Sequence, residues 1–365
     1  MLHFAPTEEQ EEIRHLARSL AVEQLRIQGR TAEKSGDISP TLTQILTQTG
    51  LTTPFPEQYG GSGSIEAITY ALIAEEFGFG DGSLGINIIG SLIGPLTVAL
   101  AGSSQQQEQY IPPFCSSDKG HTRRGSLAFV ERTGGYSLAN INATARRDGD
   151  TYILNGIKRD VIHGSQSNPR VVLFRLHDVE GLSGLCAFIL PDHLDGLQII
   201  ADAEKLGLIA APGASYTFTN AIVPASALLG APGHNSVLRA TALYMILRAA
   251  VTCGTARAAL EYASAYAKER IAFGRPIVSY QGIAFILAEM AMKLDAARLL
   301  LWNAAVNWDS NVDADTLLRD AEAAQQQALA IGKVATRDAV QVLGGAGFLQ
   351  DHPVEMWMRN VAAME

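Results

Sequence analysis

The spacing of apolar residues changes twice along the chain. Over residues 1–115 they recur three and four apart, as in TEEQEEIRHLARSLAVEQ and ITYALIAEEFGFG, the period of a helix with one buried face. Thr7 heads the first of these segments with glutamates just behind it. A threonine there caps orphan N–H groups, and the acids suit the helix dipole. PEQYGGSGS (56–64) has no period and reads as a loop. Over residues 116–230 the pattern shortens to β-rich runs, GSLAFVE, NINATARRDGDTYILNG, RVVLFRL, LCAFILP and SYTFTNAIVP, punctuated by glycine and proline. Asp148-Gly149-Asp150 lies inside one of them and predicts a hairpin turn. Over residues 231–365 helical spacing returns in three long segments that begin LRATALYMILRAAV, YQGIAFILAEMAM and DADTLLRDAEAAQ, and a shorter element follows QVLGGAGF. Long helices with short links predict a bundle of four. The expected fold is mostly α with a central β-domain: an N-terminal helical domain, a middle β-barrel-like domain and a C-terminal four-helix bundle.

One stretch needs separate treatment. From Gly82 to Gln107 no residue is charged, and the length suffices to cross a bilayer. Its five glycines, a central Pro95, acidic flanks at Asp81 and Glu108 and the absence of basic anchors argue instead for a buried core helix, broken near Gly94-Pro95.

Composition narrows the function. The net charge is −9 with no long basic run, which excludes a nucleic-acid binder relying on a positive footprint. A phosphate-bearing ligand must then be held by a few local arginines and backbone N–H groups. Cys115, Cys186 and Cys253 lie far apart with no C-x-x-C pair, which predicts reduced thiols in a cytoplasmic protein. The histidines show no H-x-x-x-H spacing, so no metal site is expected. MLHFAPTEEQEEIR lacks the basic and apolar regions of a signal peptide.

ERIAFGRPIVSYQ (269–281) interrupts two of the long helical segments. A connector requires its glycine and proline but not its arginine or glutamine. From the residues alone, Arg270 is a helix C-terminal cation and Gly274 the stop. QVLGGAGF reads likewise as a turn with glycine for positive φ. It is not G-x-G-x-x-G and no strand precedes it, which excludes a Rossmann site.

AKERIAFGRPIVSYQ, LAEMAMKLDAARLL and QVLGGAGFLQDHPVEMWMRN, with PEQYGGSG, DGDTYILNGIK and SYTFTNAIVP, resemble the acyl-CoA dehydrogenase family along essentially the whole chain. Those flavoenzymes have this three-part architecture, here 1–115, 116–230 and 231–365. The resemblance implies that Arg270 pairs with the pyrophosphate of FAD bound to a neighbouring subunit, that Phe273 packs beside it, and that Gln281 is a polar contact. It implies the same cofactor beside Gln341, Gly344 and Gly345, whose glycines admit close backbone approach. It further implies a homodimer or homotetramer, an acyl-CoA or other acyl thioester as substrate, and an electron-transfer partner of unidentified nature. The implied chemistry is α,β-desaturation: a glutamate takes the α-proton and the β-hydride passes to flavin.

The sequence departs from the family at three places. The usual glutamate follows the arginine matched by Arg359 by nine positions, three beyond Glu365, so Glu365 is not expected to be the base. Members that place it in the first bundle helix have it where Tyr244 stands; Met245 takes the place of the arginine that follows, with Arg248 one turn further on. After Asn155-Gly156-Ile157-Lys158, Asp160 and Ile162 replace the tryptophan and threonine of Trp-Ile-Thr, so the hydroxyl donor to the flavin is missing. In the upstream loop Glu131 and Gly135 match, whereas Val130 replaces a threonine and Tyr136 a serine. Two further readings therefore stand beside the dehydrogenase: a base-less partner subunit of a mixed oligomer, and a flavin-free binding or scaffold protein of the same fold.

Overall fold

The computed structural model describes residues 5–63, 65–131, 137–202 and 204–365. The opening helix begins as expected. The Thr7 hydroxyl accepts from Gln10 N at 3.2 Å, and the Gln10 side chain accepts from Thr7 N at 3.0 Å, so two orphan N–H groups are satisfied reciprocally. Helix α1 (Glu8–Leu20) runs through a π-helical stretch (Ala21–Leu25) into α2 (Arg26–Ser35), all in right-handed helical backbone. Helices α3 (Pro40–Gln48), α4 (Ala67–Gly80), α5 (Gly82–Ala101), α6 (Ser104–Tyr110) and α7 (Pro112–Cys115) complete the first helical region.

α5 is the uncharged stretch, and it is not broken. Pro95 lies inside a continuous helix. Proline lacks the N–H that would bond the carbonyl four residues back, and here Ser91 O accepts instead from Gly125 N at 2.7 Å. Only glycine fits at 125, since a Cβ there would lie 2.2 Å from Pro95 Cδ. α5 is long and apolar enough for a bilayer, but 89% of its most apolar window is buried inside the protein.

Asp81 caps α5, accepting from Leu84 N at 2.9 Å. Its other oxygen is buried without a partner among the described residues. Burial pushes the Asp81 carboxyl up to about 6, with the N–H groups of Leu84 and Ser83 opposing. A folded-state value above the unfolded one means that the ionised carboxylate costs stability above pH 6, and that the cost disappears as pH falls toward 4. Asp81→Asn keeps the cap without the charge and is expected to raise the thermal midpoint at pH 8. The gain should shrink as wild-type Asp81 protonates; a gain equal at pH 8 and pH 5 would contradict this assignment.

The β-rich runs form one sheet. Its strands are β1 (Ser126–Ala128), β2 (Thr144–Asp148), β3 (Thr151–Ile162), β4 (Arg170–Leu176), β5 (Leu185–Leu190), β6 (Leu197–Ala201), β7 (Gly213–Pro224) and β8 (Leu228–Leu229). Asp148 pairs with Thr151 across Gly149, whose φ is 59°, so the Asp-Gly-Asp turn closes the β2–β3 hairpin. The expected barrel does not form. The order is β6-β7-β3-β2-β4-β5-β8, with β1 added in parallel on β4. β6 and β8 stay at opposite edges, and a sheet whose edge strands do not meet is open.

The last third begins with α8 (Asn235–Glu269), followed by a two-residue hairpin of β9 (Ile271–Ala272) and β10 (Arg275–Pro276). α9 (Gln281–Asp309), α10 (Ala314–Leu343) and the short α11 (Val354–Ala362) complete it. α8 passes through the middle of the molecule. One apolar core joins it to the first helical region, and a second lies within the sheet. Buried carboxylates lock this junction. Glu75 on α4 receives Arg298 of α9 at 2.7 Å and Arg257 of α8 at 3.1 Å, and Glu76 receives Arg257 at 2.6 Å and Arg18 at 3.0 Å. Fork-shaped guanidiniums meeting two adjacent carboxylates fix three helices on α4 at once.

Candidate cofactor site and active-site cleft

α9 runs back along α8, and α10 back along α9, so the C-terminus of α8, the N-terminus of α9 and the C-terminus of α10 share one end of the helical region. Arg270, Phe273, Gln281, Gln341, Gly344 and Gly345 all fall at that end, and all six are exposed. The 344–352 segment is tied to α8 there: Tyr262 Oη lies 2.8 Å from His352 Nδ1, and Tyr266 stacks edge-on against the same ring.

Arg270 caps α8 in extended backbone, its N–H bonded to Tyr266 O at 2.8 Å. Among the described residues no carboxylate lies within ion-pair distance of its guanidinium. Gly274 is not the helix stop. The helix ends five residues earlier, and Phe273 and Gly274 take φ of 51° and 85° as the turn between β9 and β10. Left-handed backbone suits glycine and costs a bulky residue. Phe273 adopts it with 97% of its surface exposed, so the turn holds an aromatic ring in water against both preferences. Gly344 has φ 60°, which satisfies the turn reading, and a Cβ on Gly344 or Gly345 would meet nothing within 4 Å. An unpaired guanidinium, a presented aromatic ring and two bare glycines form a surface that fits an aromatic dinucleotide, with the phosphates at the cation.

Sequence reasoning missed part of this surface. Phe348 is 71% exposed beside the glycines. Phe285, Met292, Leu299 and Val306 are exposed along α9. Their strict spacing of seven was the available signal of an apolar stripe on one helix face.

The second cluster lies where the sheet meets α5 and α8. Ile162 ends β3 buried, and a Cβ on Gly90 of α5 would lie 2.5 Å from its Cγ2, so the isoleucine fills the space against that helix. Asp160 has φ 54°, is exposed, and sits at a register shift in the β3–β7 pairing. Its charge acts on Asp202 and Lys205 at the surface. Tyr244 is buried on α8 with its ring edge-on to Phe129, centroids 6.3 Å apart. Arg248 does face the same way as Tyr244: its guanidinium lies 5.6 Å from the tyrosine ring and donates to Met364 O at 2.8 Å. The Glu365 side chain is exposed and pairs with Lys333 at 2.6 Å. Arg359 anchors α11 to α2 through Glu33 at 2.6 Å, and to its own helix through Glu355 at 2.7 Å. Gly135 and Tyr136 lie outside the described residues.

Beneath the cluster Glu131 accepts from Lys158 Nζ at 2.7 Å, Asn142 N at 2.8 Å and Ala143 N at 3.0 Å. Burial pushes the Glu131 carboxyl up, but Lys158 and the two N–H groups outweigh it and hold the group below the usual range. Burial lowers Lys158 to about 8 despite Glu131.

Known proteins share this architecture. The family pattern described as "Acyl-CoA dehydrogenase, N-terminal domain" matches residues 7–118, and "Acyl-CoA dehydrogenase, C-terminal domain" matches residues 233–365. An acyl-CoA dehydrogenase of Bacillus subtilis (strain 168) is 32% identical over 358 residues, covering 97% of this chain and 92% of that protein. A 3-(aryl)acrylate reductase of Clostridium sporogenes is 32% identical over 363 residues, covering 97% and 93%. The structure of butyryl-CoA dehydrogenase from Megasphaera elsdenii matches with a TM-score of 0.85 at 28% identity, covering 100% of this chain and 95% of that one.

Proposed function

The chain belongs to the acyl-CoA dehydrogenase family, and on that premise we propose that it is an FAD-dependent oxidoreductase acting across the α,β bond of an acyl thioester. The observation that carries the reading is the gathering of Arg270, Phe273, Gln281, Gln341, Gly344 and Gly345 at one exposed end of the helices. FAD, when bound, supplies the acceptor for the hydride leaving the β-carbon.

The chain's own residues bind and orient. Arg270 would neutralise the pyrophosphate of bound FAD with paired hydrogen bonds, Phe273 and Phe348 would cover apolar faces, and Gly344 and Gly345 would let backbone approach. A second copy covering the α9 stripe accounts for Phe285, Met292, Leu299 and Val306 in water, since contiguous exposed apolar surface marks interaction sites. A homo-oligomer in which each subunit lends Arg270 to its neighbour's cofactor follows. The same reading takes α8, α9, α10 and the short α11 as a four-helix bundle, supported by the packing of α11 on α8 and α10. Three free thiols support a cytoplasmic location.

At the ring end of the cofactor Ile162 and Gly90 offer an apolar wall and no hydroxyl. The carboxylate expected in the first bundle helix is replaced by Tyr244. These two positions support a second reading, a subunit that lends Arg270 to a partner's FAD and performs no desaturation itself.

Desalting after incubation with FAD, followed by anaerobic titration with saturated acyl-CoAs of graded length, separates the readings. A retained flavin band that bleaches with acyl-CoA is the expected result. A retained band that bleaches with no chain length favours the partner subunit. A colourless protein at every FAD concentration overturns cofactor binding.

A further inference from the structure

Between α3, α5 and the loop before β1 lies a cavity of about 30 Å³. That is room for a few ordered waters or one small ion, since a single water needs about 10–15 Å³. Arg124, Arg123, His121, Thr43, Thr47 and Ser91 line it, and no carboxylate does among the described residues. α5 turns Ile88 and Leu92 to this cavity and Gly90 to Ile162, so it lies on a different helix face from the flavin cleft.

Two polar groups here are incompletely matched. Arg124 is half-buried, and among the described residues its Nη1 donates to the backbone carbonyls of His121 and Arg123, both at 2.9 Å. Among the described residues it has no ion pair. Asp37 is the carboxylate whose field reaches it, but Asp37 does not line the cavity, and its Oδ1 already accepts from Asn87 Nδ2 at 2.8 Å and Ile38 N at 2.7 Å. His121 Nδ1 is buried with no partner among the described residues. A half-buried guanidinium with no paired carboxylate loses part of its hydration without a matching partner, and an unfilled buried ring nitrogen adds to that cost. Both would be satisfied by one anion in the space they border. The threonine and serine hydroxyls already donate to helix carbonyls, so the donors are Arg124 and His121.

We propose that this cavity is a binding site for a small oxyanion, a phosphate or carboxylate group, held by the Arg124 guanidinium and the His121 ring N–H. The net charge of −9 gives no long-range attraction for an anion, so the site works by local pairing. It is independent of the flavin reading.

The test is calorimetric titration of the wild type as purified with sodium phosphate and, separately, sodium acetate, with sodium chloride holding ionic strength constant. Saturable binding of at least one anion is expected. Arg124→Met should weaken it at least tenfold, and Arg124→Lys, which keeps the charge without the fork, by less. Arg319→Met, at an exposed position on α10, should leave it unchanged. Phosphate alone, acetate alone or both saturating each supports the site and names its ligand. If Arg124→Met does not fold, His121→Leu serves in its place, with a several-fold loss expected. No saturation by either anion, or saturation unchanged in both Arg124→Met and His121→Leu, overturns the proposal.

Discussion

Arg270→Ala is expected to strip the protein of its flavin while leaving it folded and assembled. The guanidinium is exposed and has no carboxylate partner among the described residues, so its removal leaves no buried group unsatisfied. The cofactor loses a charge-assisted, paired contact. Hydrogen bonds to charged groups contribute about 1.5–3 kcal/mol each, which corresponds to roughly ten- to a hundredfold in Kd for FAD. The readout is the ratio of flavin to protein absorbance after desalting, with thermal midpoint and mass by light scattering as controls. A colourless variant with wild-type midpoint and mass is the expected result. Full flavin retention would remove Arg270 from the site and return it to the role of a helix-end cation. Arg270→Lys should fall between, because a point charge replaces a planar fork.

The sequence made some features plain because their causes are local. Thr7 with Gln10, and Asp148-Gly149-Asp150, carry their hydrogen-bonding logic within four residues, and each forms as the residues require. The three long helices follow from spacing alone. Features with distant causes were not legible. Pro95 read as a break because the donor that replaces its missing N–H sits thirty residues on, at Gly125. The sheet read as barrel-like because the exposed edge strand β6 and the two-residue β8 carry too little pattern to show that the edges stay apart.

The candidate site divides in the same way. The six candidate cofactor residues lie at or next to the ends of three long helices, so helix lengths and antiparallel links suffice to bring them together. The ring end of the cleft depends on which way a strand end faces. That Ile162 would meet Gly90, while Asp160 turns to the surface beside Lys205, follows from a register shift between Lys158 and Val161 that no spacing in the chain announces. Heptad spacing of Phe285, Met292, Leu299 and Val306 was present in the sequence, but inside an apolar helix it does not stand out until exposure is known.

Lys158→Met is expected to be the most destabilising single change in the sheet, and to weaken FAD binding with it. Glu131 holds three donors at once, and among the described residues Lys158 is the charged one. Removing one partner of a buried pair costs about 3–5 kcal/mol, because the other charge stays buried. In a chain of this size that is a fall of roughly 5 °C or more in the thermal midpoint. The pH dependence carries an independent sign. Lys158 is lowered to about 8 in the folded protein, whereas an unfolded lysine titrates at its ordinary value of 10.5. Between those values the unfolded chain binds the extra proton, so the lysine makes wild-type stability rise with pH. The variant lacks that rise, and its deficit should widen from pH 8 to pH 10. The effect on FAD follows from position. Val130 O accepts Arg159 N at 2.9 Å, so the Glu131–Lys158 pair and this bond together tie the segment after β1 to the end of β3 that carries Ile162. On the proposed reading, in which the flavin ring would lie against Ile162, loosening them weakens FAD binding while leaving Arg270 intact. A variant with wild-type midpoint at both pH values would show that the two backbone N–H groups alone hold Glu131. A variant that loses stability but keeps full flavin affinity would assign the pair to the sheet and not to the cleft.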